Sequence, residues 1–465
     1  MRILFFGAAR QVTGSCYGLE TGDLRLLVDC GLYQERSYLD RNWEDIGFEA
    51  ETVEALLLTH AHLDHCGRIP RLVLRGFSGP ILTTAATAEL AKITLLDSAS
   101  IQEEDAAYKR KRHQKEGRQG PHPEIPLYTV EDAERSFPLF EPLAYEAPAR
   151  LSRGATVRFR DAGHILGSAM LEIEARENGG PPKRLVFSGD IGPWGKPLMR
   201  DPSVFDRADV VVMETTYGDR NHEDPAPVDE ILAETIRSTA ARGGKILVPV
   251  FAMERAQEVL YYLGRLRREV RIPEIPVFLD SPMAVEVTQV FRKFPTYLDE
   301  EARGMILSGN SPIEFPGLHL VRTTQESKAI NGLKRPCVIL AGSGMATAGR
   351  IKHHLAFNIE QPESTILFVG YQAPQTLGRL ILGGAATVRI FGQTRTVRAR
   401  VVNINGFSGH AGRQDLLRWL GAFRRRPEKL FLVHGEEETT LAFAAGLEAD
   451  GWPVVVPRYG EAYEI

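Results

Sequence analysis

The chain has 465 residues and no apolar run near the roughly 18 residues that would span a membrane as a helix. Its opening, MRILFFGAARQVTG, reaches Arg10 and Gln11 after a handful of apolar residues. This pattern predicts a first strand and not a signal peptide. We therefore expect a cytoplasmic protein that does not bind membranes.

Cysteine is also scarce. The four cysteines, Cys16, Cys30, Cys66 and Cys337, are scattered and form no CxxC pair. Such usage fits a reducing compartment and argues against a disulfide framework or a cysteine-based zinc site.

The charges nearly balance over the whole chain, with 56 Lys and Arg against 60 Asp and Glu and a net charge of −4. They do not balance locally, because residues 321–400 contain eleven Lys and Arg but three acids, a charge of +8. The rest of the chain therefore carries −12. A basic region inside an acidic protein is typical of a nucleic-acid-binding surface.

The first two hundred residues are dominated by short apolar runs bounded by Gly, Asp and Pro, which predict strands. A helix is predicted over 86–107, where apolar residues recur three and four apart. The tract KRKRHQK (109–115) is expected in a polar loop after that helix. A solvated face is the favoured interpretation of the tract, and an RNA contact is the alternative.

From Asp209 onward strands alternate regularly with predicted helices, which indicates parallel βαβ units. After Phe391 the sequence is again rich in strands. A length of 465 residues also favours two or three domains. We therefore predict an α/β protein whose residues 208–392 form a domain inserted between the two parts, 1–207 and 393–465, of another.

A cluster of metal-capable side chains follows the apolar strand ALLLT, in the stretch LLLTHAHLDHCG (56–67). Alternate side chains of an extended segment share a face, so His60, His62 and Asp64 are expected to point together. His65 can join them only if the chain turns, which Cys66-Gly67 would permit. A few satisfied surface histidines would not need this spacing, so a metal site is the favoured interpretation.

Further metal-capable residues end predicted strands beside glycine. Each such pattern alone is more often a hydrogen-bonded structural residue. Their coincidence with the cluster favours ligands: His164 in RFRDAGHILGS, Asp190 in LVFSGDIG and His434 in KLFLVHGE.

The set HAHLDH, His164, Asp190 and His434 resembles the metallo-β-lactamase fold. METTYGDR (213–220), GFSGHAGR (406–413) and LVHGE (432–436) are similar to the further motifs of its β-CASP branch of nucleases. The resemblance implies an αββα sandwich with an inserted β-CASP domain built on a mainly parallel sheet. It also implies a zinc-dependent ribonuclease of the bacterial RNA-processing group related to the pre-mRNA 3′-end cleavage nuclease subunit.

Carried over residue by residue, the resemblance assigns seven ligands to two Zn²⁺ ions, although the ligand types also suit Mn²⁺. Asp29 in LLVDCG would orient a ligand, and a turn aspartate at a strand end is its alternative interpretation. The proposed ligands are His60, His62 and His164 for one ion, Asp64, His65 and His434 for the other, and Asp190 between them.

The implied reaction is hydrolysis of RNA by a water that two metals activate, leaving a 5′-phosphate and a 3′-hydroxyl. His410 in GFSGHAGR would be the general acid, and Glu214 in METTYGDR would orient it. A capping or solvated acid is the alternative for Glu214. Endonuclease action is favoured because 31 residues follow His434, too few for the separate C-terminal domain of ribonuclease J-type enzymes. A 5′-to-3′ exonuclease is the alternative.

The substrate surface is expected in the inserted domain, where CVILAGSGMATAGR places a glycine-rich turn before a helix. Single-stranded RNA bound through its backbone would be held in a salt-sensitive and weakly sequence-specific way. A lactone or thioester hydrolase of the same fold and a non-catalytic RNA-binding scaffold are the competing functions, and homo-oligomerisation stays open. The candidate phosphate contacts are Ser343, Gly344, Arg350, Arg379 and Arg255.

Overall fold

The structure, a computed structural model, describes residues 1–22, 24–118, 124–177, 180–222 and 228–465. Its elements form two units, one of Met1–Lys196, Arg200–Asn221 and His410–Ile465, the other of Pro197–Met199 and His222–Gly409. The strands are β1 (Arg2–Phe5), β2 (Tyr17–Thr21), β3 (Leu24–Val28), β4 (Ala55–Leu57), β5 (Ile81–Thr84), β6 (Phe140–Leu143), β7 (Ala149–Arg150), β8 (Thr156–Asp161), β9 (Ala169–Ala175), β10 (Lys183–Phe187), β11 (Val210–Glu214), β12 (Lys245–Pro249), β13 (Val277–Asp280), β14 (Leu318–Leu320), β15 (Cys337–Ala341), β16 (Thr365–Phe368), β17 (Thr387–Ile390), β18 (Gln393–Thr396), β19 (Arg400–Asn403), β20 (Lys429–Val433), β21 (Val454–Val455) and β22 (Ala462–Glu464). The α-helices are α1 (Leu63–Cys66), α2 (Ile69–Leu74), α3 (Ala85–Glu116), α4 (Val130–Ser136), α5 (Val228–Ala241), α6 (Arg255–Arg268), α7 (Pro282–Lys293), α8 (Glu300–Leu307), α9 (Thr324–Asn331), α10 (Gly349–Asn358), α11 (Leu377–Leu382), α12 (Arg413–Gly421) and α13 (Glu437–Ala449).

Two seven-stranded sheets form the first unit. The first has the order β22-β1-β2-β3-β4-β5-β6, and the second has the order β21-β20-β11-β10-β9-β8-β7. Both are mixed, and β10, β11 and β20 run parallel to one another. Side chains from both sheets, such as Phe5, Leu57, Phe159 and Phe187, share one buried core, as the inner faces of a sandwich do.

Helices cover the outer faces of this sandwich. Trp419 from α12 and Phe443 from α13 are buried against Val186 and Val211 of the second sheet. Helix α3 packs on β5 and β6 of the first sheet. The αββα arrangement predicted from the resemblance is therefore confirmed.

The second unit is built on a parallel sheet of order β14-β13-β15-β12-β16-β19, beside a hairpin of β17 and β18. β12 and β15 are buried at every position, as strands covered on both faces of a parallel sheet are. Ile339, Ile351, Leu355 and Phe368 belong to its core. The prediction of a mainly parallel inserted sheet agrees with this topology.

The boundaries of this unit differ from those predicted at 208 and 392. β11 pairs with β10 and β20 in the first unit, so the second unit begins at His222. β19 pairs with β16, so the unit extends to Gly409. The apolar pattern identified both strands but could not show which sheet each one joins.

Helix α3 also differs from its prediction, because it continues nine residues beyond 107 to Glu116. The prediction of a polar loop for KRKRHQK was wrong, and the tract is helical. Lys, Arg and Gln are good helix formers, and the first glycine is Gly117, which ends the helix with a left-handed backbone (φ +65°).

Among the described residues, no helix is both long and apolar enough to cross a membrane.

Candidate metal centre

The candidate residues lie where strands of the first unit end. β10, β11 and β20 are parallel neighbours, so their carboxyl ends meet at one sheet edge. Asp190 follows β10, Glu214 is the last residue of β11, and His434 follows β20. In the first sheet, β4 ends three residues before His60.

The stretch from His60 to His65 turns earlier than predicted. His62 keeps an extended backbone and precedes α1, which is a single helical turn. The turn expected at Cys66-Gly67 thus begins three residues earlier, and Asp64 is grouped with His65 instead of sharing the face of His60 and His62.

One group of donor atoms comprises His60, His62, His164 and Asp190. The Nδ1 atom of His62 lies 3.1 Å from Nε2 of His60 and 3.2 Å from Nε2 of His164. The donor atoms of the group all lie within 4.8 Å of one another. Two imidazoles from the segment after β4 therefore meet a third, His164, which lies about a hundred residues later in the sequence.

A second group comprises Asp64, His65 and His434. The Nε2 atom of His434 lies 3.2 Å from Nε2 of His65 and 3.4 Å from Oδ2 of Asp64. His434 has a left-handed backbone, with φ +50°, which non-glycine residues seldom adopt. The short turn after β20 thus directs this imidazole towards residues of α1.

Asp190 faces both groups. Its Oδ2 atom lies 3.3 Å from Nε2 of His60 and 3.5 Å from Nε2 of His164. Its Oδ1 atom lies 3.3 Å from Nε2 of His65 and 3.6 Å from Nε2 of His434. One carboxylate therefore connects the two sets of histidines, one oxygen to each.

The protonation and hydrogen bonding of these residues suit a metal ion better than a hydrogen-bonded network. Asp190 is buried, yet its Oδ1 atom has no hydrogen-bond partner among the described residues. Burial lowers the pKa of His60 to about 3 and that of His62 to about 4, so both imidazoles are neutral at pH 7. Neutral imidazoles and carboxylates without thiolate form a donor set that suits Zn²⁺ and other borderline metals.

The second group has a different charge state. Burial alone would lower the pKa of His434, but the carboxylates of Asp190 and Asp64 outweigh it and raise this pKa to about 9. A metal ion that binds here displaces protons from the imidazoles, so its affinity rises with pH.

Asp29 contacts one of the candidate ligands. Its Oδ2 atom lies 2.7 Å from Nδ1 of His65, and its Oδ1 atom accepts the backbone N–H of Thr59 at 2.8 Å. Burial raises the pKa of Asp29, although His65 and Thr59 oppose that shift. The bond to Nδ1 leaves Nε2 of His65 facing the centre, which is the arrangement expected of a residue that orients a ligand.

His410 and Glu214 form a pair beside the first group. The Nδ1 atom of His410 lies 3.2 Å from each carboxylate oxygen of Glu214, and the ring centroids of His410 and His164 are 4.6 Å apart. Burial would lower the pKa of His410, but the carboxylates of Glu214 and Asp190 raise it. Glu214 is buried at the end of β11 and also accepts the backbone N–H of Ile191 at 2.6 Å, so it is not a solvated surface acid.

Two threonines that the sequence did not mark as site residues also contact the candidate ligands. The hydroxyl of Thr216 bonds to Glu214 and lies 3.0 Å from Nδ1 of His434. The hydroxyl of Thr59 donates to Asp29 and lies 3.1 Å from Nδ1 of His60. Their only sequence signal is that they lie inside the motifs METT (213–216) and LLLTH (56–60), next to predicted site residues.

Comparisons with known families agree with this geometry. Residues 9–149 match the metallo-β-lactamase superfamily, residues 256–381 the β-CASP domain, and residues 394–457 the Zn-dependent metallo-hydrolase RNA specificity domain. The chain is 40% identical over 465 residues to Ribonuclease TTHA0252 of Thermus thermophilus, and the match covers 100% of both chains. The chain belongs to the β-CASP ribonuclease family.

Other relatives carry different names. Transcription termination factor FttA of Methanocaldococcus jannaschii is 33% identical over 459 residues, which cover 96% of this chain and 68% of that protein. An RNase J-like protein of the same organism is 29% identical, and the match covers 95% of this chain and 94% of that protein. A solved protein of unknown function from Enterococcus faecalis, 13% identical, covers 99% of both chains with a TM-score of 0.55 and supports the fold alone.

The predicted phosphate contacts lie in the second unit, which contains the matched β-CASP domain. Gly344 is buried, and a Cβ atom there would come within 2.7 Å of the Phe251 ring. The Ser343 hydroxyl accepts the backbone N–H of Ala348 at 3.2 Å and so closes the turn before α10. Arg379 is exposed on α11.

Two of the predicted arginines have partners within this unit. Arg350 donates from Nη1 to Asp280 at 2.7 Å and from Nη2 to the carbonyl of Arg322 at 2.7 Å. Arg255 lies 3.4 Å from Glu258, with its guanidinium 5.7 Å from the centroid of the Phe407 ring. The guanidinium of Arg350 is thus hydrogen-bonded inside the unit, and a phosphate contact at Arg350 stays a prediction.

Proposed function

We propose that this protein is a zinc-dependent ribonuclease that hydrolyses RNA phosphodiester bonds, mainly by internal cleavage, and leaves 5′-phosphate and 3′-hydroxyl ends. The observation that carries this proposal is the shared position of Asp190. This residue belongs to the first ligand group, faces the second, and also groups with Glu214 and His410. Metal ligands and a proton donor therefore lie side by side.

We propose two Zn²⁺ ions per chain. His60, His62 and His164 would hold one, and Asp64, His65 and His434 the other, with Asp190 shared. What the ions supply when bound is a water of lowered pKa and positive charge next to the scissile phosphate.

The remaining step belongs to the protein itself, because the departing 3′-oxygen needs a proton. His410 is the donor in this scheme, since the neighbouring carboxylates raise its pKa and favour the protonated imidazole. Glu214 takes the Nδ1 side of the ring, so the proton to be transferred is the one on Nε2. Glu214 is therefore a positioning residue, and His410 the catalytic acid.

RNA is favoured over a small substrate by the local charge of +8 at residues 321–400, which provides cations for a polyanion. A lactone or thioester would not need that charge.

End-labelled single-stranded RNA and matched DNA, each with and without a chelator, test this proposal. We expect RNA fragments of internal length with 5′-phosphate ends, no cleavage with the chelator, and none by the Asp64→Ala variant. Stepwise release of single nucleotides would show that the protein acts as an exonuclease and not by internal cleavage. Intact RNA with the zinc-loaded protein, together with turnover of a lactone or thioester, would contradict the ribonuclease proposal.

A further inference from the structure

The second half of α3 has a surface that the proposed reaction does not use. Beyond Ala99 the helix buries only Ala106 and His113. The Nδ1 atom of His113 bonds to the carboxylate of Glu124, and Nη2 of Arg110 donates to the carbonyl of Glu124 at 3.1 Å. One side of the helix is thus anchored, and the opposite side faces solvent.

Four exposed residues share that solvent side, and we name them the α3 stripe: Tyr108, Lys111, Arg112 and Lys115. Their spacing of three, four and seven places them on one helical face. Tyr108 is 65% exposed, and neither Lys111 nor Lys115 has an ion-pair partner among the described residues. The Nε atom of Arg112 lies 3.7 Å from Glu116. An exposed ring among cations therefore lies on the solvent side of a helix.

The charge around the stripe is strongly positive. Residues 108–118 contain six Lys and Arg and one acid, Glu116, a charge of +5. The turn before them is acidic, with Glu103, Glu104 and Asp105. A polyanion on α3 is therefore attracted to the stripe and repelled from the preceding turn.

We propose that the α3 stripe is a second contact surface for single-stranded RNA, remote from the metal centre. Lys111, Arg112 and Lys115 contact phosphates, and the ring of Tyr108 stacks on a base, a combination that serves single strands without reading sequence. The proposal rests on the ribonuclease function proposed above. It adds a positioning surface outside the second unit.

The start of α3 fixes the distance to the centre. The hydroxyls of Thr84 and Thr87 donate to the carbonyl of Gly167, at 2.7 and 2.8 Å, in the loop that carries His164. At 1.5 Å per residue, Tyr108 lies about 35 Å along the helix from Ala85. A stacked strand at roughly 3.4 Å per nucleotide needs about ten nucleotides to reach both places. The stripe therefore acts on long RNAs and not on very short ones.

A membrane surface fits the stripe less well. An interfacial helix buries a broad apolar face. Here the large exposed apolar side chains of α3 near the stripe are Ile101, which precedes the acidic turn, and Tyr108, which lies among the cations. We therefore favour RNA and include anionic vesicles in the test.

The test measures binding of RNAs of about four and about twenty nucleotides, below and above the length that spans both places. The protein is the zinc-loaded His410→Ala variant, so that cleavage is slow. Adding Lys111→Gln and Lys115→Gln to this variant removes two positive charges and keeps the helix, because glutamine is a good helix former. The matched control, Arg424→Gln with Arg425→Gln, removes two exposed charges of the same unit away from α3.

For the longer RNA, we expect the two-lysine variant to bind more weakly. The slope of log affinity against log salt should become shallower by about 1.4, which is about 0.7 for each lost phosphate contact. Tyr108→Ser should lower affinity about fivefold or more, and Tyr108→Phe should not, because it keeps the ring. The short RNA and the control variant should behave as the parent does.

Three results would contradict the proposal for the α3 stripe. The two-lysine variant could bind the longer RNA as the parent does, or the arginine control could lose as much affinity. The third result is binding to anionic phospholipid vesicles that depends on the lysines while RNA binding does not. Cleavage by the protein with an intact His410 is measured in parallel. If that protein cleaves RNA while the stripe variants bind normally, only the stripe proposal fails. If it does not cleave RNA, the ribonuclease proposal fails by itself.

Discussion

Each unit of the molecule contains a buried cluster of histidine and aspartate. In the second unit, Asp280 accepts Nε2–H of His354 and the hydroxyl of Ser327, both at 2.6 Å, and Nη1–H of Arg350 at 2.7 Å. Nδ1 of His354 lies 2.9 Å from Oδ1 of Asn331. Donors meet acceptors throughout this set, which we name the Asp280 cluster.

The candidate metal centre has the same residue types and similar burial but a different arrangement. Its imidazole nitrogens face one another at 3.1 to 3.2 Å, and within the described part of the chain one buried oxygen of Asp190 has no hydrogen-bond partner. Buried polar groups normally find partners within the protein. The comparison teaches that the direction of the donor atoms, and not residue type or burial, separates a ligand site from a structural network.

The largest expected effect is at the residue that joins the two ligand groups. Asp190→Ala should reduce RNA cleavage below detection and lower the zinc content measured by mass spectrometry, because both groups lose a shared oxygen ligand. Asp280→Asn is the matched control and should keep its zinc. Full zinc content in Asp190→Ala would contradict the view that Asp190 is a metal ligand whereas Asp280 belongs to a structural network.

His410→Ala should lower kcat by about 10² to 10⁴ while zinc content stays unchanged, because a general acid contributes in that range. Glu214→Gln, which keeps the size of the positioning residue, should cause a smaller loss. Single-turnover cleavage and metal analysis of both variants check this. If zinc is lost together with activity, His410 belongs among the ligands.

Breaking the Asp280 cluster should affect stability and not metal content. Asp280→Ala removes the buried carboxylate that pairs with partly exposed Arg350 and with His354. The loss should be about 3 kcal/mol, the lower end of the range for breaking a buried pair, because Arg350 keeps some contact with solvent. Denaturant unfolding, followed by hydrogen exchange in α9 and α10, measures the loss. Ser327→Ala removes one neutral hydrogen bond and should cost about 1 kcal/mol. Equal stability in all three proteins would contradict a structural role.

Asp29→Asn should weaken zinc binding by about 10- to 100-fold, the usual effect of removing the partner that orients a ligand. Competition with a chelator of known affinity measures this change. Asp45→Asn, at an exposed carboxylate 3.1 Å from Arg75, is the control and should match wild type. Unaltered zinc affinity in Asp29→Asn would contradict an orienting role and support the alternative, a turn aspartate at a strand end.

The smallest effect concerns pH. Burial would raise the pKa of Asp280, but hydrogen bonds from His354, Ser327 and Arg350 lower it below its ordinary value. A lowered folded pKa stabilises the fold above the unfolded value, about 3.9, and this contribution is lost as pH falls through the folded value. The unfolding free energies of wild type and Asp280→Asn should therefore differ by a constant amount above about pH 5 and converge below about pH 4. A difference that is the same at every pH would contradict this.

Much of the fold could be predicted because its strands are short apolar runs at regular spacing. β4, β10 and β20 appear where ALLLT, RLVFSGD and KLFLVHG predict them. Sheet membership could not be predicted, since the pattern of β11 or β19 does not identify its hydrogen-bonded neighbours. The helical KRKRHQK tract was missed because its exposed face has no apolar periodicity, although its residues favour helix.

The ligand candidates could be predicted because they stand at strand ends beside glycine, in motifs that resemble the β-CASP family. The contacts of Thr59 and Thr216 could not, because a hydroxyl within hydrogen-bonding distance of an imidazole is a matter of three-dimensional distance. The same limit explains Arg350, whose basic neighbourhood predicts a phosphate contact while its actual partner is Asp280, 70 residues earlier.

The central claim is that the two histidine groups, joined by Asp190, hold two metal ions on which RNA cleavage depends. Zinc titration of chelator-treated protein, with cleavage of single-stranded RNA followed at each addition, tests it most directly. We predict that cleavage rises to its maximum at two zinc ions per chain and that Asp190→Ala shows no such rise. Full cleavage by the metal-free protein, or a maximum at one ion per chain, would contradict the account.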